Sequence, residues 1–441
     1  MKKVVLCALL VLGFVLCLGV KAKADDLTDI LEKKGVITEE EAKEAKGETK
    51  NKGFNVKERI DFSGDLRLRW DTQWREEQKP GADESTDYNR NRGRFRLRFG
   101  AKAETTDTTE VGIRLVSGEG FQNTTNQSFD EHGRGKQIFI DRAYAMWEPS
   151  DWFTFVGGKM KNPLYTFPLV WDPDVSPEGF SEIFTFDVAD GKADLFFTAG
   201  QWFIEELKLK DNNNDPMLFT YQLGTSIKAG DNAKIQLAGT YYDYRWMDTL
   251  SWSEGVLDDD STFLGYNHDT GQQMIFDEDG KLLNEWGCYE LGANLHFKTA
   301  IPFSIFGNYI YNSKADIEEL VTMGVDPGDS DPSKLEAYEG DDRNTGWQVG
   351  FDLGKKKKKG DWYLKYFYQV LEDYAFPAVF VDSDFHGGGT NNKGHYVNGR
   401  YFITDNIQAR ATGFIGTERE NEAKDGVKDE DRIQLDVIFE F

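Results

Sequence analysis

Arg92, Arg94, Arg96 and Arg98 stand at four successive alternate positions, and Arg67 and Arg69 repeat the spacing upstream. A guanidinium is planar, always charged and forked, so it grips carboxylates and phosphates through paired hydrogen bonds. In an extended strand every second side chain shares a face, so these arginines would form a ladder; in a helix they would scatter. A ladder of one sign along a water-filled cleft focuses the field and concentrates anions. A second group could stand opposite: the segment from Lys161 to Phe180 carries Tyr165, Phe167, Trp171, Asp172, Asp174 and Glu178 between Pro163, Pro168, Pro173 and Pro177.

Other chemistry is thinly represented. The five histidines have no metal-ligand spacing, and neither G-x-S-x-G nor a phosphate-loop pattern occurs. Asp211-Asn212-Asn213-Asn214-Asp215 has the alternate oxygens of a calcium loop but lacks the remaining ligand positions, so it reads as a surface loop. Lys355 to Lys359 lies between two strand patterns and reads as a hydrated turn, not a nucleic-acid patch. No metal, cofactor or nucleic acid is expected.

The elements that must hold the arginines have a period of two. Ile60, Phe62, Gly64, Leu66, Leu68 and Trp70 alternate with Arg59, Asp61, Ser63, Asp65, Arg67 and Arg69. The same alternation returns along the chain and ends with Ile433, Leu435, Val437, Phe439 and Phe441 against Arg432, Gln434, Asp436 and Glu440. Only an extended strand with one apolar face is written this way. Connections alternate in length. Short turns are expected near 105–108, 149–151, 187–192, 230–232, 299–301, 355–360 and 404–406. Long polar loops are expected near 71–89, 117–136, 161–180, 204–216, 246–285, 313–342, 371–393 and 417–430.

Eight long loops and seven short turns make sixteen strands with both ends on the short-turn side. The predicted fold is all-β, a transmembrane antiparallel β-barrel of about 16 strands over 56–441, with a short N-terminal helical segment. About ten residues at roughly 3.3 Å each, tilted about 40°, span the ≈25 Å apolar band such a barrel needs. Lipid outside and water inside explain one apolar face and one arginine face; a soluble sandwich or propeller does not. Strands near 138–160 and 180–188 do not declare which face is apolar.

The chain has 441 residues, a formal net charge of -25 and 14% aromatic residues, with a mean hydropathy of -0.59. That hydropathy argues against a helical membrane protein, since no apolar run after the first twenty residues nears the roughly 18 needed to span. Residues 1–24 form a signal peptide, from Met1-Lys2-Lys3 through an apolar core to Ala22-Lys23-Ala24. Its removal leaves Cys288 as the single cysteine, which excludes an intrachain disulfide. Residues 25–55 form a short helical periplasmic segment, with Leu27, Ile30 and Leu31 on one face and a capping box from Thr38 to Glu41. It serves either as an oligomerisation or cell-wall contact or as a spacer.

Closing the barrel pairs the last strand with the first. Arg400, Arg410, Arg432, Arg67, Arg69, Arg92, Arg94, Arg96, Arg98 and Arg114 then share one lumen wall, with Asp61, Asp65 and Glu440 neutralising its periplasmic end. Two readings stand: a wall that draws anions in, or a salt-bridge ladder that only hydrates the lumen. The 161–180 segment likewise either folds inward as a constriction or packs outward on a neighbour.

Four stretches carry a family resemblance: Leu31 to Glu40, Phe62 to Arg69, Asp141-Arg142-Ala143-Tyr144, and Gly157 to Pro163. With them the mature chain resembles the putative porins of Gram-negative-type outer membranes, distantly like phosphate-selective and general porins. The resemblance implies no enzyme but a water-filled channel for passive diffusion of small hydrophilic solutes, and the arginine wall adds a mild anion preference. It implies an outer-membrane location among lipid with both termini periplasmic, a homotrimer by analogy with general porins, and recognition of Phe439 and Phe441 by the barrel-assembly machinery. The alternatives from other classes are a barrel hydrolase and a surface adhesin on a barrel scaffold.

Overall fold

The computed structural model describes residues 59–78, 85–207, 214–250, 281–315, 343–421 and 426–441. The expected signal peptide and helical segment lie outside the described residues, as do Asp211 to Asn213 and most of the acidic loops near 246–285 and 313–342.

The described chain is a succession of strands. They are β1 (Ile60–Gln78), β2 (Ser85–Thr106), β3 (Thr109–Ser117), β4 (Gln127–Ser128), β5 (Ile138–Ser150), β6 (Phe153–Lys159), β7 (Glu178–Val188) and β8 (Ala193–Phe203). There follow β9 (Met217–Ala229), β10 (Ala233–Arg245), β11 (Gly287–Phe297), β12 (Phe303–Asn312), β13 (Thr345–Gly354), β14 (Trp362–Leu371), β15 (Asn392–Phe402), β16 (Ile407–Asn421) and β17 (Gly426–Glu440). All but the two-residue β4 form one closed antiparallel sheet of sixteen strands, in which β17 returns to β1 with Leu66 opposite Phe439 and Arg69 opposite Asp436. Gly64 N–H donates to Phe441 O at 2.8 Å and Phe441 N–H to Gly64 O at 3.0 Å, so the terminal residue completes the seam. Closure removes the edges that an open sheet would expose. Sixteen strands leave an interior wide enough for water.

The outer surface carries Leu68, Leu97, Ile113, Leu223, Leu291, Val349 and Leu435, all exposed. So broad an apolar surface is unsuited to water and matches a lipid band. Exposed aromatics gather at both rims: Trp74, Tyr88, Tyr289 and Tyr311 at the long-loop end, Trp152, Phe186, Trp362, Tyr401 and Phe441 at the short-turn end.

Two features depart from the sequence pattern. Strands β1 and β2 run on to Gln78 and Ser85, and β16 and β17 on to Asn421 and Gly426, through stretches expected as loops. There the sequence alternates Trp74 and Glu76 with Arg75 and Glu77, so neither set is wholly apolar and a ladder forms that hydropathy does not mark. In β5 the pairing with β3 jumps from Arg114–Arg142 to Leu115–Ile140, leaving Asp141 as a bulge. The exposed set therefore slips from Ile138 and Ile140 to Ala143, Ala145 and Trp147. One extra residue inverts the alternation, which is why this strand's facing was illegible.

Candidate functional site in the barrel lumen

All ten predicted wall arginines lie on the lumen side of β15, β16, β17, β1, β2 and β3. The register sets Arg67 opposite Arg96 and Arg69 opposite Arg94. Like charges placed directly across a sheet repel, and buried aspartates offset that repulsion. Arg69 Nε donates to Asp436 at 2.8 Å and Arg410 Nε to the same carboxylate at 2.7 Å. Arg432 holds Asp71 through Nε and Nη2, both at 2.8 Å, and Arg92 holds it at 2.7 Å. Asp65 takes Arg96 and Arg98, each at 2.7 Å, and Asp141 takes Arg114. Of the three acids expected to neutralise the periplasmic end, only Asp65 meets these arginines among the described residues; Glu440 instead accepts from Gln408. Mid-wall charge is balanced by Asp71 and Asp436.

Among the described residues, the cations lining the lumen cavities that have no carboxylate within ion-pair distance are Arg67, Arg90, Arg94, Lys365 and Arg400. Arg67 donates to the Asn126 amide oxygen. Arg400 Nε donates to Asn398 at 2.9 Å and lies over the Tyr363 ring. The Lys365 ammonium sits 4.6 Å from the centre of the Phe306 ring.

The segment between β6 and β7 reaches inward. Tyr165 N–H donates to Gln222 of β9 at 2.8 Å, and Phe167 stacks on Phe306 of β12. Asp174 faces the opposite wall, accepting from Arg98 at 3.3 Å and from the Thr125 hydroxyl at 3.0 Å. Trp171 and Asp172 lie between. Glu178 does not belong with them: it opens β7, exposed, bonded to Lys159 at 2.6 Å. The strand begins there, and its side chain is drawn to the adjacent lysine.

The segment between β14 and β15 was expected to be a polar loop, yet Tyr374 to Val379 and Val381 are buried and Phe380 is half-buried. Phe376 packs edge-on against Tyr242 and Tyr244. Asp172 N–H donates to Phe380 O at 2.7 Å, and Ser383 N–H to the Asp172 carboxylate at 3.0 Å, joining the two loops. The tip brings Asp384 onto Arg69 at 2.9 Å and Arg432 at 3.0 Å. An outer cavity of about 560 Å³ is lined by Arg75, Arg90, Arg92 and Arg94, and an inner one of about 250 Å³ by Arg67, Arg96, Lys365, Arg400 and Arg410.

A sequence profile of the putative porin family matches residues 27–267 and 280–438. The chain belongs to that family. Among curated proteins none matches. The porin is similar to solved structures at low identity. OprB of Pseudomonas putida, in a high-pH structure, is 12% identical over 88% of this chain and 95% of that one, with a TM-score of 0.48. OmpF of Salmonella typhi, in complex with daunomycin, is 9% identical over 87% and 97%, with 0.46. The outer-membrane channel DcaP of Acinetobacter baumannii is 12% identical over 87% and 97%, with 0.43. Family and closed barrel together make this porin a channel of the outer membrane.

Charge on the porin's inward loops is uneven. Burial raises Asp384, but the facing Arg432, Arg69, Arg94 and Arg67 outweigh it and hold the carboxyl well below its usual range. Burial likewise opposes Arg96 and Arg98 at Asp174, which ends below the usual range. Asp382 is pushed up to about 6 by burial and by Asp384, while burial, Asp382 and Asp174 raise Asp172. Asp382, Asp384 and Lys365 were missed in the sequence. The available signal was the apolar run Ala375-Phe376-Pro377-Ala378-Val379-Phe380-Val381 just before Asp382-Ser383-Asp384, since a solvated loop has no use for it.

Proposed function

We propose that this porin lets small hydrophilic anions diffuse passively across the outer membrane. The observation that carries the reading is the set of lumen cations without carboxylate partners among the described residues, Arg67, Arg90, Arg94, Lys365 and Arg400. A paired arginine acts on a passing ion as part of a dipole; an unpaired one keeps its full field, and low-dielectric walls focus it. The two readings of the wall thus divide between residues. Paired arginines hold the ladder, and unpaired ones favour anions. The inward segment from Tyr165 to Asp174 acts with the 372–391 loop as the constriction.

The reading includes both termini in the periplasm, where the short turns lie, with residues 1–24 removed as a signal peptide and 25–55 as a short helical periplasmic segment. It includes Phe439 and Phe441 as the signal to the assembly machinery. It also includes a homotrimer. Glu182 and Gln201 hydrogen-bond at 3.0 Å on the outward faces of β7 and β8, beside Phe180. A carboxylate in the lipid band is costly, and a second subunit over it would relieve the cost.

The test is single-channel recording of the refolded porin in a planar bilayer under a KCl gradient. An anion-selective reversal potential is expected. A cation-selective one overturns the anion preference, and a folded barrel that passes no current overturns diffusion.

A further inference from the structure

Ser383 and Asp384 line both lumen cavities, so the Asp384 carboxylate stands between the two spaces. Each of its oxygens meets a different arginine: Oδ2 lies 2.9 Å from Arg69 Nη1, and Oδ1 lies 3.0 Å from Arg432 Nη2. Both arginines already have a carboxylate on the barrel strands, Asp436 for Arg69 and Asp71 for Arg432. Those strand aspartates fix the guanidinium forks, and the N–H groups turned to the lumen are left for a third acid. That acid comes from a loop.

Arg94 lines the outer cavity and Arg67 the inner one. They are only 7% and 4% exposed, and the Nε of each has no hydrogen-bond acceptor among the described residues. Buried donors of this kind are completed by water or by an anion from the lumen. The wall therefore offers a row of anion contacts, Arg94 above, the Arg69–Arg432 pair in the middle and Arg67 below, and among the described residues only the middle one holds a loop carboxylate.

We infer that Arg69 and Arg432 form a binding site for the carboxylate of a permeating solute, and that Asp384 fills this site as an internal stand-in. The inference rests on the anion reading and narrows it to carboxylate-bearing solutes. A carboxylate reaches both arginines at once with its two oxygens and so makes two charge-assisted hydrogen bonds. Chloride, a single atom, does not span them in that way. A solute carboxylate arriving at Arg94 exchanges for the Asp384 side chain and leaves towards Arg67.

The loop need not open for this exchange. Arg432 Nη1 also donates to the Asp384 carbonyl oxygen at 2.9 Å, and Asp384 N–H donates to Asp382 at 2.8 Å, so backbone tethers remain when the side chain turns away. A tethered competitor has a high effective concentration, which keeps solute binding weak. Weak binding is what conduction needs, since an ion held tightly does not leave.

The experiment is acetate block of chloride current through the refolded full chain in a planar bilayer, read as the acetate concentration that halves the current. Wild type should be blocked weakly. Asp384→Asn should lower the half-blocking concentration by about tenfold, the scale of one charge-assisted hydrogen bond made available. Asp61→Asn makes the same change in net charge at the periplasmic end and takes a carboxylate from none of the wall arginines. It should move the reversal potential and leave the half-blocking concentration within about twofold. Equal tightening by both substitutions, or none by Asp384→Asn, overturns the exchange. If Asp384→Asn does not give the heat-modifiable gel shift of a folded barrel, Asp384→Ser carries the same expectation. A cation-selective wild-type reversal potential would overturn the underlying anion reading, whereas anion selectivity without tightening overturns the exchange alone.

Discussion

Trp171 and Phe380 lie face to face, their ring centres 5.2 Å apart and their planes 12° from parallel. One belongs to the segment between β6 and β7, the other to the segment between β14 and β15, so the stack fastens two inward loops from different walls. Such a pair contributes about 0.5 to 1.5 kcal/mol beyond its buried area. Phe380→Ala should therefore loosen both loops and raise single-channel conductance, as should deletion of 166–178. Unchanged conductance in correctly folded barrels would show that these loops do not limit the pore.

Much of the barrel was legible because lipid and water write on opposite faces of a strand. Leu66, Leu68 and Trp70 against Arg67 and Arg69 admit no other period. The legibility failed where that contrast is lost. Beyond Trp70 the hairpin of β1 and β2 stands among polar residues, and at Asp141 one bulged residue inverts the code. In the lumen, the arginines could be read from their own spacing, but their acids could not. Arg69 and Asp436 are 367 positions apart and meet only because β17 closes on β1. Asp384 is further hidden, since nothing local says that a loop will turn inward except its apolar run.

Arg400 and Arg432 should answer differently to the same substitution. Arg432 is 2% exposed and is bound to Asp71, which is 1% exposed, across the β1–β17 seam. Arg432→Gln strips a buried carboxylate of one partner and should cost about 3 kcal/mol of barrel stability, besides moving selectivity. Arg400→Gln leaves no acid behind, so the reversal potential should move towards cations with stability nearly unchanged. Unfolding midpoints in detergent together with reversal potentials separate the two; a matching loss of stability in both would contradict the division into paired and unpaired cations.

Gly64 is fixed by the chain end. A Cβ there would lie 2.5 Å from Arg98 O and 2.6 Å from the Phe441 ring. The ring could swing aside, but the carbonyl belongs to the neighbouring strand and has nowhere to go. Gly64→Val should therefore push Phe441 from the seam and lower the yield of folded barrel, measured as the heat-modifiable band on a gel. Normal assembly would separate Phe441 from the closing step.

Glu182 and Gln201 test the oligomer. If a second subunit covers this outward pair, replacing both by leucine should shift the detergent-solubilised species from three chains to one, read by native mass. If lipid covers it, the same substitution removes a costly polar pair from the apolar band and should stabilise the single barrel. The subunit contact predicts the first result.

Selectivity should vary with pH through Asp382. Its carboxyl is pushed up to about 6 by burial and by Asp384, so it ionises within the range a bilayer experiment can scan. The neighbours that bear on it differ: Asp384 and Asp174 are held low by arginines and stay ionised, Arg432 stays charged, and Asp172 is raised by the same burial and crowding. As pH falls from 7 through about 6 to 5, Asp382 takes up a proton and the inner cavity loses a negative charge, while Arg400 and Arg67 keep theirs. Anion selectivity should therefore increase on acidification and decrease as pH rises through the same interval. Asp382→Asn removes the titrating charge, so the reversal potential should sit near its acidic value and lose most of its slope between pH 5 and 7. A wild-type reversal potential that does not change over this interval, or an Asp382→Asn channel that titrates as wild type does, would mean that another group governs the field in the inner cavity.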